Sequence, residues 1–272
     1  MKIGFIGTGN MASAIIKGII KKEFASPDEL YLFDIMSEKV QLFAKNIGAT
    51  ACTSNSQLIG LVDMVVLSVK PTVIERILAS EKNQILEKRP LLISIAAGTP
   101  TDKIYNFLQT NEELPIVRVM PNINAIVGET AAAICGNEYV TDKQLNYVLD
   151  MFNSIGFAWK LDEKYFSNFT ALAGSSPAYT FLFIDSIARA GVKHGLPKDL
   201  ATQIAAQAVL GSAKMILESE ESPWSLIDRV SSPGGTTVAG LLALEDHAFI
   251  STVVKGIDAT IAKDNEMNNQ QK

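Results

Sequence analysis

The sequence contains few cysteines and histidines, on which zinc sites, disulfide frameworks and many nucleophilic active sites depend. Among 272 residues there are two cysteines and two histidines, and Cys52 lies far from Cys135 with no histidine close to either. The sequence therefore predicts neither a metal site nor a disulfide framework, and it indicates a reducing, cytoplasmic setting. His194 and His247 have no acidic partner in a recognisable motif, so we expect them at helix ends or on the surface.

An excess of positive charge is missing too. The formal net charge is -5, and the lysines and arginines form no cluster, which argues against nucleic acid or an anionic membrane as a partner. Met1-Lys2 leads directly into a glycine-rich strand, so no signal peptide is expected. The uncharged residues 165–184 are interrupted by Asn168 and by Gly174-Ser-Ser-Pro177, which argues against a membrane span. GxSxG and HExxH patterns are absent, so hydrolase and zinc-protease functions have no support.

The first 22 residues have the pattern of a strand, a glycine turn and a helix. Residues 2–6 form the apolar strand, and Gly7-Thr-Gly-Asn-Met-Ala12 opens the helix. Gly7 permits the sharp turn, Gly9 lets a pyrophosphate approach the backbone, and the small Ala12 lets the helix pack closely on the strand. A tight turn that binds no ligand has the same pattern, but the position of this motif between the first strand and the first helix favours dinucleotide binding.

The second strand, residues 30–34, ends in Asp34, where a ribose-binding acid is expected. A carboxylate there would bond the adenosine 2′-hydroxyl and repel a 2′-phosphate, which favours NADH. Ser37 and Lys39 are close enough in sequence to accept a phosphate, and Asp34 also suits an Asx turn at the strand end. The sequence thus leaves the choice between NADH and NADPH open.

Two further buried strands are predicted at residues 63–69 and 91–95. Lys70 follows the first, at the end where open α/β sheets bind ligands, so it either contacts ribose or phosphate or is a solvated lysine. Ala96 and Ala97 follow the second and are small enough for a nicotinamide ribose to lie against their backbone.

Additional strands are predicted at residues 49–52 and 116–119, and edge strands at residues 130–135 and 157–161. Five or more strand–helix units with short loops predict a dinucleotide-binding, Rossmann-like doubly wound sheet over residues 1–161.

After Asp162 the pattern changes to helices alone, which predicts an all-α second domain over residues 162–272. The expected helices cover residues 163–173, 177–191, 198–219, 223–230, 236–245 and 248–266, and the polar residues 265–272 are expected to fray. The helix at 198–219 has no charge between Asp199 and Lys214 and is small or apolar on every face. Such a helix needs partners on all sides, so we predict a homodimer through this domain.

Pro233-Gly234-Gly235 interrupts the helices of this domain, and Thr236 or Thr237 then suits the N-cap of the next one. A loop of this kind presents N–H groups and two hydroxyls at the positive end of a helix dipole, which suits a small carboxylate. An ordinary helix cap explains the same residues.

Taken together, these motifs resemble the pyrroline-5-carboxylate reductase family, over essentially the whole chain. The C-terminal signature of the family is matched by Pro223, Leu226, Val230, Ser231, Ser232, Gly234, Gly235, Thr237, Gly240, Leu241, Leu244 and Glu245. Supporting matches are Gly7-Thr-Gly-Asn-Met-Ala12, Val69-Lys-Pro71, Ala96-Ala-Gly98, Arg118-Val-Met-Pro-Asn122 and Gly174-Ser-Ser-Pro-Ala-Tyr179. The chain departs from the family at Ile123-Asn124, where Thr-Pro is common, and at Ser176, where glycine is usual.

The resemblance implies hydride transfer from NADPH or NADH to the C=N carbon of 1-pyrroline-5-carboxylate, which gives L-proline. It implies that Ser232, Gly234 and Gly235 bind the substrate carboxylate and that Thr237 bonds the ring nitrogen. The dinucleotide would contact Ile6, Gly7, Thr8, Gly9, Asn10, Met11, Asn55, Lys70, Ala96 and Ala97. The family builds its active site between the nucleotide domain of one chain and the helical domain of a partner, which implies a homodimer, or a higher oligomer of dimers.

Two other functions fit parts of the pattern. A β-hydroxyacid dehydrogenase shares the domain order but needs a catalytic lysine on the helix after a glycine-rich turn, and residues 178–185 contain none. A nucleotide-binding regulatory protein without turnover would keep the fold, but the intact Gly-Gly-Thr-Thr loop argues against it.

Overall fold

The chain forms two compact units in the computed structural model, which describes residues 1–270. The first unit contains Met1–Ser175 and the C-terminal segment that starts at Ile261, and the second contains Ser176–Thr260. The sequence-based division after residue 161 follows the change from strands to helices, whereas the compact units divide at Ser175.

The first unit is built on an eight-stranded, mostly parallel sheet. Its strands are β1 (Ile3–Ile6), β2 (Leu30–Phe33), β3 (Thr50–Ala51), β4 (Met64–Leu67), β5 (Leu91–Ser94), β6 (Ile116–Met120), β7 (Thr130–Gly136) and β8 (Gly156–Lys160). Their order is β3-β2-β1-β4-β5-β6-β7-β8, and β6 with β7 is the antiparallel pair. The predicted doubly wound sheet is confirmed. The edge position predicted for β7 is wrong, because β7 pairs with β6 on one side and β8 on the other.

Helices cover this sheet because its central strands are apolar on both faces. Every residue of β1, β4 and β5 is buried, which is typical of parallel strands between two helical layers. The helices of the unit are α1 (Asn10–Lys21), α2 (Ser37–Ile47), α3 (Asn55–Leu61), α4 (Pro71–Ser80), α5 (Lys82–Lys88), α6 (Thr101–Phe107) and α7 (Asp142–Asn153). Helix α1, for example, buries Ile15, Ile16 and Ile19.

The strand register brings several carboxyl ends to one edge of the sheet. Ile6 lies beside Phe33 and Leu67, and Ser94 lies beside Leu67 and Arg118. The chain order reverses between β1 and β4, which is the switch point at which open α/β sheets form a ligand crevice.

The segment after β8 differs from the single helix predicted for residues 163–173. A 3-10 turn (Glu163–Tyr165) leads into α8 (Phe166–Phe169) and then into a π-helical turn (Thr170–Ser175). The sequence pattern missed this wide turn, which immediately precedes Ser176-Pro177.

Helices α9 (Ser176–Lys193), α10 (Lys198–Glu218), α11 (Pro223–Val230), α12 (Thr236–Asp246) and α13 (Phe249–Gln270) follow, so the predicted all-helical half is confirmed. Helix α13 continues through Gln270, and the fraying predicted from residue 265 is wrong up to that point. Residues 271 and 272 lie outside the described residues.

Helix α10 is apolar and exposed. Within residues 1–270 it is the single helix that is long and apolar enough to cross a membrane, while α12 and α13 meet the same test only as a pair bent by 52°. Core helices of other proteins meet this test as well, but only 11% of the α10 window is buried within the chain. Its uncovered face includes Leu200, Ile204 and Leu210. Exposed large apolar side chains grouped on one helix are typical of an interaction face.

Candidate dinucleotide and substrate sites

The glycine turn after β1 has no room for a side chain at one glycine and ample room at the other. Gly7 has φ +95°, and a β-carbon added there would lie 2.6 Å from the carbonyl oxygen of Ser68. Gly9 is the N-cap of α1, and a β-carbon there would meet nothing within 4 Å. The turn thus requires glycine at position 7 for its own geometry and leaves an open approach at position 9.

Ser68 fixes this turn, although the sequence analysis did not identify it. Its hydroxyl has one proton to donate and lies within hydrogen-bond distance of two acceptors, the carbonyl oxygens of Ile6 (2.9 Å) and Gly7 (2.7 Å). The available signal was a polar residue directly after the apolar strand β4, at the carboxyl edge of the sheet.

Asp34 also holds the turn. Its Oδ2 accepts hydrogen bonds from the backbone N–H (2.7 Å) and the hydroxyl (3.1 Å) of Thr8, and its Oδ1 accepts one from the N–H of Met36 (3.0 Å). Burial raises the pKa of the Asp34 carboxyl, but the hydrogen bonds from Thr8 and Met36 outweigh burial and keep the pKa below its usual value. The Asx turn considered for Asp34 is present, and its contact with a ribose stays a prediction.

Asn55 carries an unsatisfied acceptor. It is the first residue of α3, after Ser54, whose hydroxyl caps the helix by accepting from the N–H of Gln57. Asn55 Oδ1 is buried and, among the described residues, has no hydrogen-bond partner. A buried acceptor of this kind calls for a donor from outside the chain, and this fits the predicted cofactor contact.

Lys70 and the two alanines occupy the predicted carboxyl ends. Lys70 is exposed and precedes Pro71, the first residue of α4, so the geometry fits a ligand contact and a solvated lysine equally. Ala96 is buried and Ala97 is exposed, just before Gly98, which has φ +68°.

The loop that contains these alanines is anchored where α6 begins. The Glu163 carboxylate accepts from the N–H and the hydroxyl of Thr101, both at 2.9 Å, and pairs with Arg118 at 3.2 Å. The Arg118 side chain is 5% exposed and lies over the ring of Phe166. This link leaves no signal in the sequence, because its members are far apart in the chain.

In the second unit, the loop between α11 and α12 ends in an uncapped helix. The N-cap of α12 is Gly235, and no side chain caps it, so the N-cap predicted at Thr236 or Thr237 is wrong. Gly235 has the extended backbone of an N-cap residue (φ -79°, ψ 171°), so Thr236 and Thr237 lie within the first turn of the helix. The positive end of α12 therefore lacks a side-chain partner and can receive an anion.

Within this loop the two serines differ. Ser232 Oγ fills the space of a β-carbon at Gly235, at 2.4 Å, and the N–H of Gly235 donates to the Ser232 carbonyl (3.0 Å). Ser231 Oγ is buried without a partner in the part of the chain that the structure describes. Ser232, Gly234 and Thr237 are exposed. The loop thus holds a fixed turn with an accessible hydroxyl at its end.

The described residues contain no group of three or more histidine, cysteine or acidic side chains that could hold a metal ion. Cys52 and Cys135 are both free and buried. Desolvation raises the pKa of the Cys135 thiol to about 12, which leaves it inert near neutral pH.

Two models of known protein families match parts of the chain. Residues 163–267 match the family model described as pyrroline-5-carboxylate reductase dimerisation, and residues 2–98 match the one described as NADP oxidoreductase coenzyme F420-dependent.

The chain is 36% identical to the pyrroline-5-carboxylate reductase of Escherichia coli over 267 residues, which covers 98% of each protein. Crystal structures of the enzymes from Streptococcus pyogenes (41% identity, TM-score 0.85) and, with NADP bound, from Plasmodium falciparum (34% identity, TM-score 0.87) each match 98% of this chain and 98% of their own. The chain belongs to the pyrroline-5-carboxylate reductase family.

Proposed function

We propose that the protein reduces 1-pyrroline-5-carboxylate to L-proline by hydride transfer from NAD(P)H, the last step of proline biosynthesis. The observation that supports this most strongly is the match of the whole chain to reductases of that name. The glycine turn at the carboxyl edge of the sheet and the uncapped loop before α12 supply the two binding features that the reaction needs.

The first unit fits a dinucleotide. Gly9 and the first residues of α1 present open backbone N–H groups to a pyrophosphate, and Asn55 Oδ1 offers an acceptor that lacks a donor. Ile6 to Met11, Asn55, Lys70, Ala96 and Ala97 would hold the cofactor, with Asp34 near the ribose. When bound, the reduced nicotinamide supplies the hydride.

The second unit fits the substrate. We assign Ser232 and the backbone of Gly234 and Gly235 to the carboxylate, because the uncapped end of α12 favours an anion. Thr237 lies in the first turn of the same helix, so its exposed hydroxyl is assigned to the ring nitrogen. The carboxylate and the nitrogen are then fixed from one rigid element.

This assignment explains why the sequence offers few acids and bases for catalysis. A protonated imine already attracts hydride, and its nitrogen keeps the proton in the product, so the protein has to orient two rings and exclude water. Thr237 acts as an orienting group and not as a strong acid, in line with the ordinary acidity of a hydroxyl.

The protein would be a homodimer through the helical half. Leu200, Ile204 and Leu210 leave α10 with apolar surface that the chain itself does not cover, and the matching family model is a dimerisation domain. A second copy of the chain is the occupant we propose, either in a single dimer or in a higher oligomer of dimers. The free, buried cysteines fit a cytoplasmic enzyme.

The decisive assay mixes purified protein with pyrroline-5-carboxylate and either NADH or NADPH and follows the absorbance of the reduced nicotinamide. Absence of oxidation with both coenzymes would refute the reductase function. Thr237→Ala should lower kcat by about tenfold to a hundredfold, the loss expected for one oriented hydrogen bond in the transition state, and should spare cofactor binding. The matched control is Thr252→Ala, an exposed threonine on α13 whose hydroxyl donates to the Ala248 carbonyl, and its kcat should equal wild type.

A further inference from the structure

Asn122 joins three separate segments of the first unit. It follows β6 and is 4% exposed. Its Oδ1 accepts from the N–H of Ala131 (3.1 Å) and from the hydroxyl of Thr130 (3.3 Å), at the start of β7. Its Nδ2 donates to the carbonyl oxygen of Ala173 (3.0 Å), within the π-helical turn. All the contacts lie in one compact unit, so this amide fixes the turn to the carboxyl end of β6.

The position of Pro177 explains why the Ala173 carbonyl accepts from a side chain. In an α-helix this carbonyl would accept from the N–H four residues later, and residue 177 is a proline, which has none. The proline ring also crowds the carbonyl four residues before it, which favours a wider turn there. The π-helical turn at Thr170–Ser175 and the bond from Asn122 together resolve both effects.

A close contact orients the same turn. A β-carbon added at Gly174 would lie 2.9 Å from Met120 Cε, so the backbone of the turn packs directly on the last residue of β6. Met120 lies at the edge of the sheet where the parallel strands present their carboxyl ends, the edge to which the dinucleotide is assigned. The turn therefore lies at the same edge of the sheet as the candidate dinucleotide site, although neither Asn122 nor Pro177 belongs to the predicted binding set.

We propose that Asn122 is a positioning residue of the reductase. By donating to the carbonyl that Pro177 cannot serve, it keeps the π-helical turn at the carboxyl edge of the sheet, against Met120, in the conformation that the reaction requires. This role rests on the proposed function, because the rate is its readout. Asn122 and Pro177 are linked through the Ala173 carbonyl, which the amide serves and the proline cannot, and we call this link their pairing. It is a property of the fold and can be measured without activity.

The first test compares two hydrogen-bonded amides at opposite ends of β6, the buried Asn122 and the half-buried Asn137. Asn122→Ala should lower kcat about tenfold with cofactor affinity unchanged, because small displacements at a hydride-transfer site are costly. Asn137 is the matched control: its side chain donates to the Leu114 carbonyl (2.9 Å) and accepts from the N–H of Ile116 (3.0 Å), at the amino end of the strand. Asn137→Ala should lower the melting temperature similarly and leave kcat unchanged. Equal kcat in the two variants would overturn the positioning role.

The second test is a double-mutant cycle with Pro177→Ala, which restores an N–H for the Ala173 carbonyl. The melting-temperature loss in Asn122→Ala should be smaller when Pro177→Ala is present, whereas kcat should stay low because the wide turn is no longer enforced. Additive losses would overturn the pairing. Asn122→Ser, which cannot reach Ala173, replaces Asn122→Ala if that variant does not fold. If the wild-type protein oxidises neither coenzyme, both the reductase function and the positioning role are overturned. The melting temperatures of the double-mutant cycle would still show whether Asn122 and Pro177 are coupled.

Discussion

Gly7 and Gly9 lie two residues apart in one turn, and alanine should impair a different property at each position. At Gly7 it should lower stability, and at Gly9 it should weaken dinucleotide binding. At Gly7 the backbone has φ +95°, and the added carbon would lie 2.6 Å from the Ser68 carbonyl oxygen. The backbone conformation alone costs an alanine about 1–3 kcal/mol, and a backbone oxygen cannot move aside cheaply. We therefore expect Gly7→Ala to lower the free energy of unfolding by about 3 kcal/mol or more.

At Gly9 the same methyl group meets no protein atom within 4 Å, and the backbone is extended. Alanine is a poorer N-cap than glycine, but it restricts the unfolded chain by about 0.4–1 kcal/mol, so the two effects on stability oppose each other. The methyl group instead occupies the space through which a pyrophosphate would reach the N–H groups of α1. Loss of one hydrogen bond to a charged group, about 1.5–3 kcal/mol, corresponds to a Kd that is about tenfold to a hundredfold higher.

Thermal unfolding without cofactor and titration of NAD(P)H fluorescence separate the two effects. Gly7→Ala should lower the melting temperature by about 6 °C or more, and Gly9→Ala should stay close to wild type and bind the dinucleotide weakly. Wild-type affinity in Gly9→Ala would refute the assignment of the open space to the pyrophosphate. A large loss of stability in Gly9→Ala would refute the geometric argument itself.

Three further predictions concern the coenzyme, the stability at acid pH and the assembly. Asp34→Ser should raise the KM for NADH relative to that for NADPH, because it removes a carboxylate that repels a 2′-phosphate. Unchanged coenzyme selectivity would contradict the ribose assignment. The control is Asp28→Ser, at an exposed position. Because the folded pKa of Asp34 lies below the usual 3.8, its contribution to stability is present above that pH and is lost as the pH falls further, so Asp34→Ser should flatten this acid-induced loss. Leu210→Asp should convert the dimer to monomers in light scattering, whereas Lys214→Gln, a change at a charged position of α10, should leave the dimer intact.

The sheet was predictable because its signal is local. Runs such as residues 64–67 are apolar at every position, and a strand that is buried on both faces needs no information from the rest of the chain to be recognised. The location of β7 was not predictable in this way. Its pairing with β6 depends on the antiparallel return through residues 121–129, and an apolar run does not reveal which neighbours a strand will have.

The residues of the candidate site also differ in whether a local sequence pattern reveals them. Gly7, Gly9 and Asp34 follow from the spacing of one motif, whereas Ser68 contributes through a side chain that bonds carbonyl oxygens 61 and 62 residues away in sequence. The N-cap of α12 was misplaced because serine and threonine are favoured at that position, whereas the helix has its N-cap at Gly235, one residue before Thr236 and two before Thr237.

The conformation of the π-helical turn could not be predicted, although both motifs that determine it are visible in the sequence. Met120-Pro-Asn122 and Gly174-Ser-Ser-Pro177 are each recognisable, and Pro177 alone predicts a carbonyl without its helical donor at Ala173. A helix with such a carbonyl can bend, widen or end, and the amino acids nearby do not decide among these outcomes. The decision comes from Asn122, about 50 residues earlier, whose Nδ2 reaches that carbonyl only because the sheet carries β6 to the same place. The π-helical turn is therefore a tertiary feature, because its conformation depends on a hydrogen bond from a distant strand end as well as on Pro177.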